Sequence, residues 1–396
     1  MSLRVESKTA LCAAGALLLA LALAPAAQAQ RRAARMNQAP SIERRPFGRL
    51  ADGTAVEIYT LRNRRGVEAE ITNYGGAVVS LRVPDARGRA EDVVLGYDGP
   101  EGYEADTAYF GALIGRFANR IARGRFRLGG RVYQLATNND QNHLHGGVRG
   151  FNKVVWRARP LRRRAAAALE LTYLSRHGEE GYPGNLSVRV VYALTDADEL
   201  RIEYSATTDR ATVVNLTHHS YFNLRGHGAG DILGHRLRLN ADRFTPVDET
   251  LIPTGELAPV RGTPFDFRRE EAIGARINEP HEQLRRGRGY DHNYVINQRA
   301  PGRLTLTAEV YEPTTGRAME VWTTEPGVQL YTGNFLDGVR GKGGAVYAYR
   351  GGFCLEAQHF PDSPNQRAFP PTVLRPGQRY TQTTIYKFSV RGAERP

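Results

Sequence analysis

Residues 213–226, VVNLTHHSYFNLRG, form the stretch around which the rest of the sequence is organised. The apolar, partly β-branched residues at its start predict a strand, and alternate residues of a strand share a face. One face would then carry Asn215, Thr217, His219, Tyr221 and Asn223. A solvated face typically carries lysine and glutamate instead, so we interpret this face as a binding groove for a hydroxyl-rich molecule. The alternative is a hydrogen-bonded structural histidine on a sheet.

Short segments with strand-like alternation recur along the whole chain. Residues 186–194 and 199–207 predict one hairpin, and residues 303–311 and 318–324 predict another. Helical periodicity is rare, with one short candidate in residues 270–282. Turn signals recur at the spacing of roughly 8–12 residues that is typical of β-sandwiches. We therefore expect an all-β fold, a large antiparallel β-sandwich.

The N-terminus has the features of a secretory signal peptide. Basic residues precede an apolar run at 10–23, and an A-x-A cleavage site ends at Ala29. The run is too short for a membrane span, so we expect no membrane anchor and a periplasmic or secreted protein. The predicted organisation is a signal peptide at residues 1–29 with cleavage near Ala29-Gln30, a disordered leader at residues 30–43 and a single domain at residues 44–392.

The charge pattern and the cysteine content limit the partners and the covalent cross-links that we expect for this protein. The formal net charge is +13, but the arginines are scattered and do not alternate with aromatic residues. This pattern argues against a nucleic-acid partner. Once the signal peptide is removed, Cys354 is the single cysteine, so no intramolecular disulfide can form. Cys354 is then either a small buried side chain or, less in keeping with its surroundings, a nucleophile.

Two segments carry basic or metal-binding residue types. Arg120 in GRFANRI (115–121) offers a planar guanidinium for hydroxyls or a ring oxygen, with a surface arginine as the alternative. His143 and His145 in NHLHGG (142–147) have a spacing that suggests metal, but a zinc site needs three or four protein ligands. No further histidine or cysteine follows at a matching spacing, so we expect no metal. The two glycines of this segment indicate a tight bend beside a ligand.

Two further segments contain acidic residues in unusual surroundings. Asp291 in GYDHNY (289–294) lies among aromatic and amide residues, a mixture suited to sugar binding. A plain Asx-turn is the alternative. Glu356 lies between Leu355 and Ala357 in an apolar strand, where burial would raise its proton affinity and make it a general base. The alternative interpretation of Glu356 is a buried ion pair with an arginine.

Together these segments resemble the aldose 1-epimerase family, also called the galactose mutarotases. The resemblance runs from about residue 45 to 390. It is carried, in order, by ITNYGG (71–76), IGRFANRI (114–121), NHLHGG (142–147) with GFNKVVW (150–156), NLTHHSYFNLRG (215–226), TPVDETLIPTGE (245–256), GYDHNY (289–294), PGVQLYTGNFLDG (326–338) and FCLEAQHFPDSPN (353–365). The resemblance implies a supersandwich fold with a sugar cleft. It also implies interconversion of the α and β anomers of free aldohexoses without a cofactor.

The resemblance also assigns roles to individual residues. The proton donor is His219, the general base is Glu356, and the family usually has Asn where this chain has His218. Sugar contacts map to Asn119, Arg120, His145, Tyr221, Asp291 and Gln329. In this scheme Glu356 and His219 are both charged in the resting enzyme, and His218 lies on the opposite face. Two other functions remain as alternatives, a hexose-6-phosphate mutarotase and a non-catalytic sugar-binding protein.

Overall fold

The computed structural model describes residues 39–392, and strands dominate it. In chain order the strands are β1 (Ser41–Arg49), β2 (Ala55–Arg62), β3 (Glu68–Thr72), β4 (Val78–Pro84), β5 (Ala90–Asp92), β6 (Leu113–Ile114), β7 (Arg120–Ile121), β8 (Arg125–Leu128), β9 (Arg131–Gln134), β10 (His143–Leu144), β11 (Arg157–Arg163), β12 (Ala166–Ser175), β13 (Leu186–Thr195), β14 (Glu199–Thr208) and β15 (Thr212–Val213). They continue with β16 (Thr217–His218), β17 (Arg236–Leu239), β18 (Ala241–Phe244), β19 (Ala258–Pro259), β20 (Glu271–Ala272), β21 (Asp291–Ile296), β22 (Thr305–Tyr311), β23 (Arg317–Thr323), β24 (Gly327–Tyr331), β25 (Val339–Arg340), β26 (Val346–Tyr347), β27 (Cys354–Gln358), β28 (Val373–Leu374) and β29 (Tyr380–Val390). The α-helices are α1 (Pro100–Ala105) and α2 (Glu282–Gly287).

Three sheets form the body of the molecule, and their neighbouring strands run antiparallel. The largest has nine strands in the order β11-β12-β13-β14-β29-β23-β22-β17-β20. A five-stranded sheet follows the order β19-β18-β21-β24-β27, and a second pairs β1 to β5 consecutively. The expected all-β antiparallel sandwich is confirmed.

One hydrophobic cluster fills the space between the sheets. It joins Leu169, Val190 and Ile202 of the nine-stranded sheet to Leu330 and Leu355 of the sheet that holds β24 and β27. These side chains are at most 1% exposed. Because strand residues alternate between faces, the other face of β24 and β27 is free to carry polar side chains.

Both predicted hairpins are present. β13 pairs with β14 from Leu186↔Thr208 to Leu194↔Leu200, and β22 pairs with β23. The short helix expected in residues 270–282 is reduced to a 3₁₀ turn at Ile273–Ala275, which follows the short strand β20, and α2 begins only at Glu282. β20 instead extends the nine-stranded sheet by pairing with β17.

The prediction of a continuous strand at 213–226 is wrong. Only the short strands β15 and β16 lie there, with isolated bridges at Asn215 and Phe222. The segment changes partner as it runs: β15 pairs with β28, β16 pairs with β6, and Phe222 bridges to Val94 and Phe353. The segment therefore connects the edges of several sheets and does not form one continuous strand.

The N-terminal predictions lie mostly outside the described residues. The signal peptide and the cleavage site lie there, as do residues 30–38 of the expected leader. The last part of that leader is ordered, since β1 starts at Ser41, pairs with β2 and packs Ile42 against the core. In residues 39–392, no helix combines the length and the apolar character needed to cross a membrane.

Candidate active site

Three neighbouring strands place the acidic and amide side chains of the site. Gln329 of β24 pairs with Asn293 of β21 on one side and with Glu356 of β27 on the other. Asp291 precedes Asn293 by two positions and therefore shares its face. The pleat thus turns Asp291, Gln329 and Glu356 to one side, away from the core. We call the space that they line, with His145 and His219, the sugar pocket, after the ligand that the sequence resemblance implies.

Glu356 and His219 lie next to each other in this group of side chains. The Nε2 atom of His219 lies 3.7 Å from Oε1 of Glu356. The two side chains are 4% and 2% exposed, so water screens their interaction little. Nitrogen and oxygen atoms of His145, His219 and Glu356 all lie within 4.8 Å of one another. The structure therefore brings the two predicted catalytic residues together.

Glu356 is in a setting that favours its protonated form. Burial raises its pKa well above the usual value, the negative charge of Asp291 raises it further, and Arg120 opposes both effects. Its close contact is with the imidazole of His219, so the alternative of a buried pair with an arginine does not describe this residue. In the described part of the chain, its Oε2 is buried without a hydrogen-bond partner. That oxygen is available to a ligand hydroxyl.

His219 is in a setting that favours its neutral form. Burial lowers its pKa to about 4, and its Nδ1 lies 3.6 Å from Sγ of Cys354. Cys354 is thus a buried contact of the imidazole. The expectation that Glu356 and His219 are both charged before substrate binds disagrees with these pKa shifts. A neutral pair holds the same number of protons as a charged pair, and only the position of one proton differs.

His145 is held by the backbone of Asn119. The amide N–H of His145 donates to the carbonyl oxygen of Asn119 at 3.0 Å, and the amide N–H of Asn119 donates to Nδ1 of His145 at 3.2 Å. Both residues have positive φ, 50° and 59°, a sparsely populated conformation that is frequent at functional sites. Asn119 itself, expected to contact the sugar, also accepts from the amide of Arg120 through Oδ1.

This contact fixes what His145 presents to the pocket. Burial lowers its pKa well below the ordinary value, so the ring is neutral, and its Nδ1 accepts a hydrogen bond. The proton therefore resides on Nε2, which makes that nitrogen a donor without a free lone pair for a metal ion. His143 is a structural residue, since Nδ1 lies 2.6 Å from Ala136 O and Nε2 lies 2.6 Å from Tyr182 Oη. The geometry of the His-x-His segment favours hydrogen bonding over metal binding.

Arg120, Asp291 and Gln329 form a second polar group in the pocket. Gln329 Nε2 donates to Asp291 Oδ1 at 2.7 Å, and Arg120 Nη1 lies 3.8 Å from Asp291 Oδ2. Arg120 also donates through Nε to Oδ1 of Asn139, so it is an oriented, buried residue and not the surface arginine of the alternative. Burial raises the pKa of Asp291, while Arg120 and then Gln329 oppose that effect. The Asp291 carboxylate contacts Gln329 and Arg120 in the pocket and does not form the alternative Asx-turn.

Aromatic rings form a wall of the pocket. Tyr221 lies 5.2 Å from the His219 ring, and Tyr331 lies 5.7 Å from Tyr221, centroid to centroid. Tyr109 lies 4.7 Å from the His145 ring and 5.8 Å from the His219 ring. Sequence reasoning identified Tyr221 and missed Tyr331 and Tyr109. Alternation from Gln329 to Tyr331 along β24 could have indicated Tyr331, whereas no sequence pattern indicates Tyr109.

The predicted polar face of residues 213–226 is only partly a binding surface. Asn215 and Asn223 donate to backbone carbonyls, as does Thr217, whose hydroxyl lies 2.7 Å from Ala357 O. These three side chains tie the segment to its neighbours, so their prediction as groove residues is wrong. His219 and Tyr221 alone of the five face the pocket.

His218 lies on the other side of the segment, as alternation predicted. Its ring packs 5.9 Å from Tyr192 and 6.1 Å from Tyr386 in the core, whereas His219 packs against the pocket tyrosines. Burial lowers the pKa of His218 to about 3. This ring is a neutral core residue on the side of the segment that faces away from the pocket.

Comparisons with known proteins identify the family of the chain. The sequence profile of the aldose 1-epimerase family matches residues 57–387. The chain is 48% identical over 352 residues to galactose mutarotase of Homo sapiens, covering 88% of this chain and 99% of that protein. It is 38% identical over 340 residues to aldose 1-epimerase of Escherichia coli strain K12, covering 85% and 96%. An aldose epimerase homologue from C. elegans has a similar structure, with a TM-score of 0.78 at 30% identity, covering 85% of this chain and 99% of that one. The chain therefore belongs to the aldose 1-epimerase family.

Proposed function

We propose that the protein interconverts the α and β anomers of free aldohexoses such as glucose and galactose. The observation that carries this proposal is the approach of His219 and Glu356 to 3.7 Å in a buried pocket. A carboxyl and an imidazole this close can reach the anomeric hydroxyl and the ring oxygen of one pyranose, which are bonded to the same carbon. The polar groups around them are of the type that binds hydroxyls, and the family membership supports the same reaction.

The reaction requires one base and one acid. Glu356 removes the proton of the anomeric hydroxyl while protonated His219 donates to the ring oxygen, and the ring opens to the aldehyde. Rotation of the carbonyl group and reclosure on its other face, with both proton transfers reversed, give the other anomer. Each positioned acid or base typically contributes 10²–10⁴-fold to the rate.

Substrate binding can supply the charged state that this mechanism needs. In the empty pocket, burial favours a proton on Glu356 and none on His219. A sugar hydroxyl that donates to the unpartnered Oε2 of Glu356 stabilises the carboxylate. The proton then moves to His219 with no change in the total proton count. Sugar binding thereby converts Glu356 and His219 to the charged pair that the reaction needs.

The other polar side chains are suited to bind the hydroxyls of the hexose and to orient the ring beside Glu356 and His219. Arg120, Asp291 and Gln329 form one hydrogen-bonded group with both donors and acceptors. His145 adds a donor at Nε2, and Gln329 keeps a buried Oε1 without a partner in residues 39–392. Buried polar groups without partners stabilise a bound hydroxyl strongly, because the alternative is an unsatisfied group.

Polarimetry of freshly dissolved α-glucose tests the proposal. The wild-type protein should accelerate mutarotation, whereas Glu356→Gln and His219→Asn should each lose about 10²–10⁴-fold in kcat while keeping the wild-type circular dichroism spectrum. Glu325→Gln is the matched control, since Glu325 is a buried carboxylate that pairs with His359 outside the pocket. Folded wild-type protein without acceleration would refute an epimerase, and wild-type rates in either pocket variant would remove that residue from the mechanism.

A further inference from the structure

A second concave surface lies beside the sugar pocket, and we call it the rim groove. It has a volume of about 620 Å³, and its lining includes Asn278, Arg288, Phe335, Asp337, Tyr349 and Arg350. This volume lies within the range of about 300–1,000 Å³ that is typical of small-molecule sites.

The strands of the sugar pocket lead directly into the rim groove. Asp291 at the start of β21 pairs with Tyr331 at the end of β24. Phe335 follows in the next loop, stacks on Tyr331 with ring centroids 6.1 Å apart, and donates its amide N–H to Tyr331 Oη. Tyr331 in turn lies 6.4 Å from the His219 ring. A single tyrosine ring therefore separates the rim groove from the catalytic histidine.

Two aromatic rings in the rim groove are exposed, and each is backed by an arginine. Phe335 is 51% exposed and Tyr349 is 46% exposed. The guanidinium of Arg288 lies 5.5 Å from the Phe335 centroid, and that of Arg350 lies 4.6 Å from the Tyr349 centroid. A cation on an aromatic face holds the ring in place. Fixed aromatic surfaces with adjacent hydrogen-bonding groups suit the apolar face of a sugar ring and its surrounding hydroxyls.

Arg350 adds a buried, incompletely satisfied donor. It is 6% exposed, donates through Nη1 to Oδ1 of Asn278 at 2.9 Å and approaches the carbonyl oxygen of Arg288 through Nη2. Its Nε is buried and has no hydrogen-bond partner in residues 39–392. Buried donors in proteins are nearly always paired, so this atom is suited to donate to a ligand oxygen.

The charge of the lining decides between a neutral and an anionic ligand. The lining contains the arginines Arg285, Arg288 and Arg350 together with the acids Glu279 and Asp337. The acids offset most of the positive charge and provide acceptors, which a phosphate cannot use and a sugar hydroxyl can. The mixed donor and acceptor set favours a neutral, hydroxyl-rich ligand.

We propose that the rim groove is a second carbohydrate-binding site, which holds a neutral sugar unit linked to the reducing-end ring that occupies the sugar pocket. This inference rests on the proposed function, since it places the reducing end at Glu356 and His219. Tyr349 and Phe335 provide the aromatic surfaces, and Arg350 and Asp337 provide a donor and an acceptor. Glucose alone would leave the rim groove unused.

Polarimetry with glucose, maltose, cellobiose and lactose tests this inference. Tyr349→Ala removes a groove ring without changing the sugar pocket, so it should raise KM by about 3–10-fold for at least one disaccharide and leave glucose within about twofold. Asp337→Ala should act in the same direction. Val132→Ala, which truncates another exposed apolar side chain outside the groove, is the control. Thermal melting checks that each variant is folded.

The outcomes separate this inference from the proposed function. If glucose and every disaccharide respond equally to Tyr349→Ala and Asp337→Ala, or if the wild-type protein does not act on disaccharides, the second site is refuted while the epimerase activity stands. A preference for glucose 6-phosphate over glucose that Arg288→Gln abolishes would also refute it, in favour of an anion site. No acceleration with glucose itself would refute the proposed function.

Discussion

Burial drives Glu356 and His219 toward opposite proton occupancies, although both belong to one reaction. The carboxyl has a raised pKa and the imidazole a pKa of about 4, and they share one proton at neutral pH in the proposed mechanism. The sequence allowed the prediction of a buried Glu356, because apolar neighbours flank it. The neutral state of His219 could not be predicted, since it arises from Tyr221, Tyr331 and other rings that only the fold brings together.

The pH profile of kcat/KM should report this shared proton. Above pH 4 His219 stays neutral in the free enzyme, and below about pH 4 a second proton binds the pair and removes the base. Activity should therefore fall with an acid midpoint near pH 4, and again at alkaline pH, when the pair loses the proton that the raised pKa of Glu356 retains. The measurement is polarimetry of glucose over this pH range, with recovery at neutral pH as the check on folding. An acid midpoint near 6.5, the ordinary value for histidine, would contradict the desolvated pair.

At the scale of elements, local sequence patterns predict hairpins but do not predict which distant strands pair. Hairpins such as β13–β14 follow from alternation and a nearby turn, and they were predicted. The order β18-β21-β24-β27 joins segments far apart in the chain, and no local pattern specifies it. The segment at 213–226 was misread because Asn215 and Thr217 bind backbone carbonyls, a use of polar side chains that resembles a binding face in the sequence.

The loop that carries His145 gives the element-scale prediction. Gly146 has φ +90°, and a Cβ there would overlap the carbonyl oxygen of Gly115. Gly178 is the matched control, with φ +87° and nothing within 4 Å of a Cβ. Gly178→Ala should lower the free energy of unfolding by about 1 kcal/mol through backbone strain alone. Gly146→Ala should lower it by about 2–3 kcal/mol more, because backbone must move, and should also reduce activity through His145. Equal losses in urea titrations would show that the loop adjusts freely.

At the scale of the whole molecule, several histidine rings are buried in residues 39–392. Burial is the main cause of a lowered pKa, to about 3 or 4, at His143, His218, His219, His235 and His292. The sandwich itself was predicted from strand spacing and from the family resemblance. The pH sensitivity of the sandwich was not predicted, because that sensitivity depends on which histidines face the core. Unfolding exposes these rings to water, where they protonate near pH 6.5, so each one destabilises the fold as pH decreases below that value.

His218 isolates this effect, because it lies in the core and outside the sugar pocket. Its pKa is about 3 in the folded protein and about 6.5 when unfolded, so between these values the unfolded state binds the extra proton. The linkage relation then predicts that wild-type protein loses about 2 kcal/mol of stability relative to His218→Asn between pH 7.5 and pH 5. Urea unfolding at both pH values measures the difference, and Leu200→Ala, a buried apolar change, should show the same loss at both. If the gap between wild type and His218→Asn is the same at pH 7.5 and pH 5, His218 titrates alike in both states and the buried-histidine account of acid sensitivity fails.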